Sequence, residues 1–339
     1  MRSSIYWHCV KQLIRHPPPP RVFKNTASYL LGRKLSNKVV LNYTPMSIVI
    51  YLTRRCNYRC SFCYAKDVLD NHAHDSDLTH EQLRKVLESP FGKNALRVGL
   101  LGGEPFLNSN IFAFIDTIKA HRKIMTVVTN ASLLDDEKIK RLLKTRLDVL
   151  GVSLYDNNLR HVERVGRALR GKQKYWIQSI VSASQLNKAE ELIRFALEIG
   201  CENIQLSNYV AIQPGEEQHG IYDDNSQYTE LKKRLSEKYR FEIKNRKLNI
   251  GWLVPISKNP IKRDCAMPFS YVHLDNLGNL GACCMRPPDG DLYGNIFTEE
   301  DAWNRPYYIH LRRTMMNSQL KPQDICKNCD NLCQDLYQI

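Results

Sequence analysis

Acidic residues are missing from the start of this chain. Residues 1–66 contain twelve Lys or Arg side chains and no Asp or Glu, and the first acid is Asp67. The remaining residues hold 37 basic and 35 acidic side chains, so nearly all of the net charge of +14 belongs to the first 66 residues. Because the rest of the chain has no comparable basic stripe, direct binding of nucleic acid is disfavoured.

Long apolar runs are also missing. No stretch approaches the roughly 18 apolar residues of a membrane-spanning helix, and no secretory signal pattern opens the chain. The 339 residues are enough for one large domain and a small one. Nine of the eleven cysteines fall into two clusters with metal-ligand spacing. Together these observations favour reduced thiols and a cytoplasmic location.

Three of the cysteines lie in one short run that offers three thiolates and not four. Cys56, Cys60 and Cys63 form the pattern CxxxCxxC directly after the apolar stretch 47–52. Iron–sulfur clusters are held by cysteine thiolates, and a [4Fe–4S] cubane needs four iron ligands. A loop that supplies three of them leaves one iron open for a small molecule.

A structural zinc site is the alternative at this loop. Such sites are closed tetrahedra with four protein ligands, commonly arranged in CxxC or CxxH pairs. Between Cys63 and Gly102 the sequence has no fourth cysteine, and His72 and His74 are the nearby candidates. The spacing therefore favours an iron–sulfur cluster over zinc.

Short apolar runs alternate with amphipathic helical patterns from residue 47 to about residue 210, which predicts βα units and a parallel sheet. Helix starts are indicated at Thr79 and Asn187, each followed by a capping-box residue, and Gly200 predicts a helix end. Six units are too few for a closed eight-stranded barrel. The predicted strands are 47–52, 97–101, 124–128, 149–154, 175–182 and 203–207.

A second motif, Gly-Gly-Glu-Pro at 102–105, follows the second predicted strand. The cysteine run and this motif, in that order and each after a strand, resemble the radical S-adenosylmethionine (SAM) superfamily. The resemblance implies an α/β fold with a partial (βα)6 TIM-like barrel over residues 46–254. In this superfamily SAM chelates the open iron of a [4Fe–4S] cluster. One electron from the cluster then gives a 5′-deoxyadenosyl radical, which abstracts a hydrogen atom from the substrate.

The resemblance also implies which residues would contact SAM. Residues 102–104 would hold its amino group, because glycine lets the backbone approach a ligand without side-chain interference. Aromatic residues beside the cysteines would lie at the adenine side. The usual Thr-Asn-Gly and Leu-Asp-Gly motifs are replaced here by residues 129–131 (Thr-Asn-Ala) and 154–156 (Leu-Tyr-Asp). The implied SAM contacts are Phe62, Tyr64, Gly102, Gly103, Glu104, Asn130 and Ser153.

Six further cysteines lie between residues 265 and 333. Two predicted strands, 271–274 and 280–284, are joined by a turn and would bring Cys265 near Cys283. This arrangement resembles the SPASM and twitch domains, C-terminal extensions of radical SAM enzymes that hold auxiliary [4Fe–4S] clusters. A full SPASM domain has seven cysteines and two clusters, whereas this chain ends in CxxCxxxC.

The resemblance therefore implies one auxiliary [4Fe–4S] cluster in a small C-terminal domain at 255–339. Zinc is the alternative here too, because four cysteines that include a CxxC pair suit it. The implied ligands are Cys265, Cys283, Cys326 and Cys329, and Cys284 or Cys333 could substitute or lie nearby.

Residues 1–45, here called the N-terminal arm, are not explained by the resemblance. Pro17–Pro20 predicts an extended polyproline stretch, and residues 26–35 have a short amphipathic pattern. Three interpretations stay open: the arm lies on an anionic membrane surface, meets an acidic substrate or partner, or packs on the barrel as a solvated extension. A mitochondrial transit peptide is also compatible with a basic, acid-poor segment.

The motifs assign no substrate. Most SPASM-bearing relatives modify peptides or proteins, and others with one auxiliary cluster oxidise alcohols of aminosugars or cyclitols. We therefore predict a radical SAM oxidoreductase that modifies a peptide or protein. The alternative is a radical dehydrogenase of a sugar, cyclitol or phosphorylated small molecule. A reductant such as flavodoxin or ferredoxin is implied as a partner. The candidates for a hydrogen donor or catalytic base are Tyr155, His219, Asp223, Cys284 and Cys333.

Overall fold

The structure is a computed structural model of the chain. It describes residues 4–35, 38–66, 69, 77–258, 265–283, 286, 288–317, 320, 326 and 329. Four residues singled out in the sequence lie outside the described residues: His72, His74, Cys284 and Cys333.

The described residues form one sheet of nine strands. These are β1 (Ser47–Tyr51), β2 (Arg97–Leu101), β3 (Ile124–Thr129), β4 (Val149–Ser153), β5 (Tyr175–Val181), β6 (Asn203–Asn208), β7 (Asn249–Gly251), β8 (Tyr271–Leu274) and β9 (Leu280–Gly281). In space they follow the order β7-β6-β5-β4-β3-β2-β1-β8-β9. Neighbouring strands are parallel except for the antiparallel pair β8 and β9. In the part of the chain that the structure describes, no pairing joins β7 to β9, so the barrel is open on one side.

The six predicted strands are confirmed, each to within one residue at either end. All five residues of β1 and all five of β4 are buried, as expected for strands covered on both faces. Such strands have near-continuous apolar sequences, which made them visible before the structure.

Two pairings extend the predicted six-stranded sheet. β7 adds to β6, with Asn203 opposite Asn249. β8 adds to the other edge, where it runs parallel to β1 with Ser47 opposite Tyr271. A hairpin of β8 and antiparallel β9 forms, but its second strand ends at Gly281, short of the predicted 280–284, of which residue 284 lies outside the described residues. The hairpin continues the barrel sheet. The division of the chain at residue 255 stays a prediction, and the sheet crosses it.

Helices flank the sheet strands. They are α1 (Ser4–Arg15), α2 (Pro20–Leu35), α3 (His80–Glu88), α4 (Pro90–Asn94), α5 (Ile111–Ala120), α6 (Asp136–Lys144), α7 (Leu159–Leu169), α8 (Lys188–Glu198), α9 (Ser226–Lys238), α10 (Arg240–Lys244), α11 (Met267–Ser270), α12 (Gly290–Tyr293) and α13 (Pro306–Met316). Among the described residues, no helix has the length and apolar character that crossing a bilayer requires.

Two of the three predicted helix-end signals are confirmed. Thr79 and Gln82 form the reciprocal capping box at the start of α3. Gly200 has a φ of +72°, the left-handed conformation of a helix end. The capping box at Asn187 is wrong: this residue has helical backbone angles, and its side chain makes no cap hydrogen bond. A short 3₁₀ turn at Ala183–Gln185 precedes it, so the chain enters α8 already coiled.

The N-terminal arm packs across the amino ends of the barrel strands. On α1, Ile5 and Cys9 are buried against the starts of β3, β4 and β5. On α2, the side-chain amide of Asn25 donates to the carbonyl of Thr44 (3.0 Å) and its Oδ1 accepts from the Thr44 N–H (2.9 Å). The polyproline stretch is shorter than predicted, because Pro20 is the first residue of α2, where a missing N–H costs no hydrogen bond.

A buried arginine joins the C-terminal helix to the rest of the molecule. Arg312 on α13 has no exposed surface and stacks over the ring of Trp303 at 4.5 Å. Its guanidinium donates to the carbonyl oxygens of Pro268 (2.8 Å), Trp303 (2.7 Å) and Val39 (2.9 Å). Burial lowers its pKa to about 10, so it stays charged at neutral pH.

Candidate active site

A cavity of about 400 Å³ opens at the carboxyl ends of β1–β5. In parallel barrels this end carries the catalytic loops. All ten residues predicted at the first cluster and at SAM line this one cavity. They are Cys56, Phe62, Cys60, Cys63, Tyr64, Gly102, Gly103, Glu104, Asn130 and Ser153. The fold thus brings together residues spread over almost 100 positions of sequence.

The three thiols of the cysteine loop face the cavity together. Burial, and to a smaller extent the neighbouring thiols of Cys63 and Cys56, raises the pKa of Cys60 to about 11. Burial likewise raises the pKa of Cys56. Negative charges on neighbouring thiols repel one another, which disfavours ionisation unless a cation is present. Metal binding deprotonates a coordinating thiol. Within the described residues, no three His, Cys, Asp or Glu side chains form a ready-made site for a single metal ion.

Two buried or half-buried ion pairs anchor the start of this loop. Arg54 contacts Asp275 in the β8–β9 turn at 2.6 Å, and the Asp275 side chain is 2% exposed. Arg55 pairs with Asp77, and its guanidinium also donates to the carbonyl of Leu107 (3.1 Å). The sequence analysis did not find either pair, because the partners lie far apart along the chain.

The Gly-Gly-Glu segment runs against the backbone of the cysteine loop. The N–H of Gly103 donates to the carbonyl of Thr53 and the N–H of Glu104 to the carbonyl of Arg55, both at 2.8 Å. Gly102 has a φ of +145°, and a Cβ at Gly103 would lie 2.0 Å from the Arg55 carbonyl oxygen. Only glycine fits here, because any side chain would push the two segments apart.

Glu104 is a buried carboxylate, 1% exposed. Its Oε1 accepts from the Thr129 hydroxyl (2.7 Å) and the Phe106 N–H (3.1 Å), and its Oε2 accepts from the Asn130 N–H (2.8 Å). Burial raises its pKa to about 7, although these three hydrogen bonds oppose the shift. In the described part of the chain, no Lys or Arg forms an ion pair with it, so a ligand ammonium group would supply the missing positive charge.

Asn130 and Ser153 are held by a residue that the sequence analysis missed. The side-chain amide of Asn158 donates to the carbonyls of Asn130 and Ser153, both at 2.8 Å, and its Oδ1 accepts from the Tyr155 N–H (2.7 Å). Asn158 thereby links the ends of β3 and β4. It precedes α7 at the N-cap position without capping the helix, so a lone asparagine before a helical pattern was the only available signal.

Ala131, which stands where the usual Thr-Asn-Gly motif has glycine, has an unusual backbone conformation. Ala131 has a φ of +65°, where glycine is ordinarily favoured. The Ala131 N–H donates to the Thr129 hydroxyl (3.0 Å), and Ala131 is fully buried. The turn after β3 therefore has a left-handed backbone conformation, which glycine adopts without steric cost.

Aromatic side chains form one wall of the cavity. Tyr155 packs against Phe62, with ring centroids 5.5 Å apart, and against Tyr58 at 6.2 Å. Burial raises the pKa of Tyr155, so its hydroxyl stays protonated at neutral pH. Tyr64 shares a 2.5 Å hydroxyl–hydroxyl hydrogen bond with the buried Tyr51 on β1.

The two other candidates for proton or hydrogen transfer that the structure describes, His219 and Asp223, do not line this cavity. His219 packs against Tyr209 with ring centroids 5.2 Å apart. Asp223 accepts from the Ser257 hydroxyl (2.9 Å). Of the described candidates, Tyr155 alone lies among the cavity residues, and Cys284 and Cys333 lie outside the described residues.

Two of the four implied auxiliary ligands approach the same apolar group. Cys265 and Cys283 both pack against Val49, Met267 and Tyr271, next to β1 and β8. Cys326 packs at the edge of the main core, partly buried. Cys265 and Cys283 thus contact one apolar group, which adjoins the strand that leads into the first cysteine loop. Their role as cluster ligands stays a prediction.

The residues present fit a [4Fe–4S] cluster with SAM at the first site. Soft thiolates are the donors that such clusters use. The cavity also offers a close-packed glycine backbone and a buried carboxylate with no cationic partner among the described residues. The three thiols of the cysteine loop and the carboxylate of Glu104 therefore line the same cavity.

A family model, the Radical SAM superfamily, matches residues 50–221, about half of the chain. Pre-heme d1 synthase of Dinoroseobacter shibae is 30% identical over 148 residues, which are 43% of this chain and 31% of that protein. PqqA peptide cyclase of Granulibacter bethesdensis is 26% identical over 129 residues, which are 38% of this chain and 34% of that protein. The matched region thus spans about a third of these curated relatives.

Two solved structures share the fold. SuiB of Streptococcus suis bound to precursor peptide SuiA superimposes with a TM-score of 0.59 at 16% identity, covering 91% of this chain and 74% of that chain. Native anSMEcpe with bound AdoMet and the Cp18Cys peptide gives a TM-score of 0.63 at 15% identity, covering 87% of this chain and 91% of that chain. At these identities the likeness concerns the fold alone.

Proposed function

Because the chain belongs to the radical SAM superfamily, we propose that it cleaves SAM reductively and removes a hydrogen atom from a peptide or protein substrate. The observation that carries the proposal is the convergence of three thiols, two crowded glycines and one buried carboxylate on a single cavity. When bound, the cluster and SAM would supply one-electron cleavage of the sulfonium and a 5′-deoxyadenosyl radical.

The residues of the chain would bind the cluster and orient SAM. Cys56, Cys60 and Cys63 would hold the cluster, and residues 102–104 would receive the amino group of SAM. The aromatic wall of Phe62 and Tyr155 would exclude water from the reacting atoms. Asn130 and Ser153 would contact SAM from the ends of β3 and β4, where Asn158 fixes the backbone of both.

A peptide or protein is the substrate class that we favour. One of the curated relatives is named as a peptide cyclase, and two structures with this fold are described with bound peptides. The open side of the barrel between β7 and β9 would admit a bulky chain. Because the curated relatives also include a pre-heme d1 synthase, the product must be identified by experiment. A dehydrogenated alcohol would favour the alternative.

We propose one auxiliary [4Fe–4S] cluster, held by Cys265, Cys283, Cys326 and Cys329. Flavodoxin or ferredoxin would supply the electrons. Two cubanes correspond to about eight iron atoms per chain, and iron and sulfide assays on anaerobically purified protein measure this number. Fewer than about six iron atoms per chain would contradict the two-cluster proposal.

The proposed function is tested by anaerobic incubation of the reconstituted protein with SAM and dithionite. We expect 5′-deoxyadenosine and methionine in equal amounts, measured by liquid chromatography and mass spectrometry. A fully reconstituted protein that forms neither product would contradict the proposal and favour an electron-transfer or scaffold role.

Replacing Glu104 with glutamine is expected to weaken SAM binding at least tenfold, because the buried pocket loses its negative charge. The NH₂ group of the glutamine would also face a backbone N–H that now donates to a carboxylate oxygen, so two donors would meet. A stability loss of about 1–3 kcal/mol is therefore expected as well. Equilibrium binding of SAM to the anaerobic protein measures the first effect and thermal unfolding the second.

Thr129→Val is the matched control for this substitution. It removes the hydrogen bond that the Thr129 hydroxyl donates to the Glu104 carboxylate and the one that this hydroxyl accepts from the Ala131 N–H, and it keeps the charge. We expect a comparable loss of stability with a smaller loss of SAM affinity. Equal SAM affinities for the two variants would contradict a charge-based role for Glu104.

A further inference from the structure

Large hydrophobic side chains are exposed on both helices of the N-terminal arm. Trp7 is 49% exposed and Ile14 74% on α1, and Phe23 is 55% exposed and Leu30 49% on α2. Leu31 and Val40 are also exposed, at 59% and 56%. Among the described residues, nearly half of the exposed large hydrophobic side chains fall in the arm, although it is a small part of the chain.

These side chains follow the helical repeat on the face that points away from the barrel. Trp7 and Ile14 are seven residues apart, as are Phe23 and Leu30, and seven residues make about two helical turns. The residues buried against the barrel, Ile5 and Cys9 on α1, lie on the opposite side of that helix. On α2 the buried Val22, Asn25 and Tyr29 lie away from the Phe23 and Leu30 stripe. Each helix therefore has one face for the barrel and one apolar stripe toward solvent.

Positive charge surrounds the apolar stripes. Residues 1–45 carry eight Lys or Arg and no acid, and Lys11, Arg15 and Lys24 are exposed. No acid within the arm can neutralise them. Helices that lie in the membrane interface combine such an apolar face, often with Trp or Phe, with Lys and Arg beside it.

The barrel surface next to α1 adds further positive charge. A cavity of about 700 Å³ between α1 and the amino ends of the strands is lined by the exposed Arg122, Arg146 and Lys172. The two acids of this cavity, Asp148 and Glu202, are paired with Lys119 (2.6 Å) and Lys174 (2.8 Å). The amino-terminal face of the barrel is therefore basic together with the arm that crosses it.

We infer that this face docks the protein on an anionic membrane surface. Phe23 and Trp7 would enter the boundary between headgroups and acyl chains, and the surrounding cations would meet anionic headgroups. An acidic protein would satisfy the charges, but two stripes of exposed aromatic and aliphatic residues favour an apolar phase. The candidate active site opens at the carboxyl ends of the strands and would stay accessible from the aqueous side.

Vesicle flotation tests this inference with the full chain. We expect binding to vesicles of phosphatidylcholine with about 30% phosphatidylglycerol and at least tenfold weaker binding to pure phosphatidylcholine, since each cation near an anionic surface adds to the attraction. Sodium chloride at about 0.5 M should weaken the binding, because it shortens the screening length. No binding to the anionic vesicles, or equal binding to both compositions, would overturn the inference.

Matched variants locate the docking face. Phe23→Ser is expected to weaken vesicle binding about tenfold, whereas Phe241→Ser, which changes a 67% exposed side chain on α10, should leave it unchanged. Lys11→Glu with Lys24→Glu should weaken binding at least tenfold, and Lys232→Glu with Lys233→Glu on α9 serves as its control. Equal losses for an arm variant and its control would overturn the assignment. Because the assay needs no SAM, its outcome is independent of the proposed reaction.

Discussion

Replacing Cys60 with alanine is expected to abolish formation of 5′-deoxyadenosine from SAM. The substitution leaves two of the three thiols that face the cavity, so one iron of the proposed cluster would lose its protein ligand. Mutation of a residue that only supports a metal ligand typically lowers metal affinity or activity roughly 10–100-fold. Loss of the ligand itself should lower the activity by more than that. The measurement is the rate of 5′-deoxyadenosine formation by anaerobically reconstituted protein.

Two further variants make this result specific. Cys201→Ala removes a buried thiol whose Sγ contacts the Asn203 carbonyl at 3.0 Å, away from the cavity, and should retain most of the rate. Cys283→Ala should lower the iron content by about four atoms per chain while keeping the SAM-binding cluster. A Cys60→Ala protein that still cleaves SAM at the rate of Cys201→Ala would contradict the assignment of the first site.

Replacing Arg312 with methionine is expected to lower the free energy of unfolding by about 3–4 kcal/mol. The buried carbonyl oxygens of Pro268 and Trp303 and the part-buried carbonyl oxygen of Val39 would lose their donor. Each unsatisfied buried group costs about 1–3 kcal/mol. The methionine would keep much of the apolar contact with Trp303, so the loss reports mainly on hydrogen bonding. Guanidinium unfolding of the anaerobic holoprotein, followed by circular dichroism, measures the change.

Arg313→Met is the control for this prediction. Arg313 follows Arg312 on α13 but is exposed, so the same substitution there should change stability by less than about 0.5 kcal/mol. Equal unfolding midpoints for the two variants would show that the Arg312 hydrogen bonds contribute nothing to stability.

The strands of the barrel were predictable because they are buried on both faces. β2 and β4 are short apolar runs between helical patterns, and nothing else in the sequence fits such runs as well. The pairing of β8 with β1 was not predictable, because it joins residues more than 200 positions apart. Local composition suggested a hairpin at 271–284, and only the fold shows that it extends the barrel sheet.

The residues of the candidate site also divide into those that the sequence predicted and those that it did not. Cysteines and a Gly-Gly-Glu-Pro run are rare enough in combination to be read from sequence, and they meet at one cavity. Asn158 and the pair Arg54–Asp275 are common residue types whose role depends on distant partners. Their roles follow from hydrogen bonds that the sequence pattern does not encode.

The placement of the N-terminal arm could be predicted only in part from the sequence. Its basic, acid-poor composition left three interpretations open, and the contacts of Cys9 and Asn25 show that the arm packs on the barrel. The outward stripes of Trp7 and Phe23 needed the helix bounds, because only the fold shows which side of each helix is covered.

The most direct test of the account is electron paramagnetic resonance of the dithionite-reduced Cys283→Ala protein before and after SAM is added. This variant is expected to keep the cluster held by Cys56, Cys60 and Cys63. We expect a [4Fe–4S]⁺ signal whose g values shift on addition of SAM, because SAM would bind the open iron. The absence of a cubane signal, or a signal unchanged by SAM, would contradict the assignment of the SAM-binding cluster to this site.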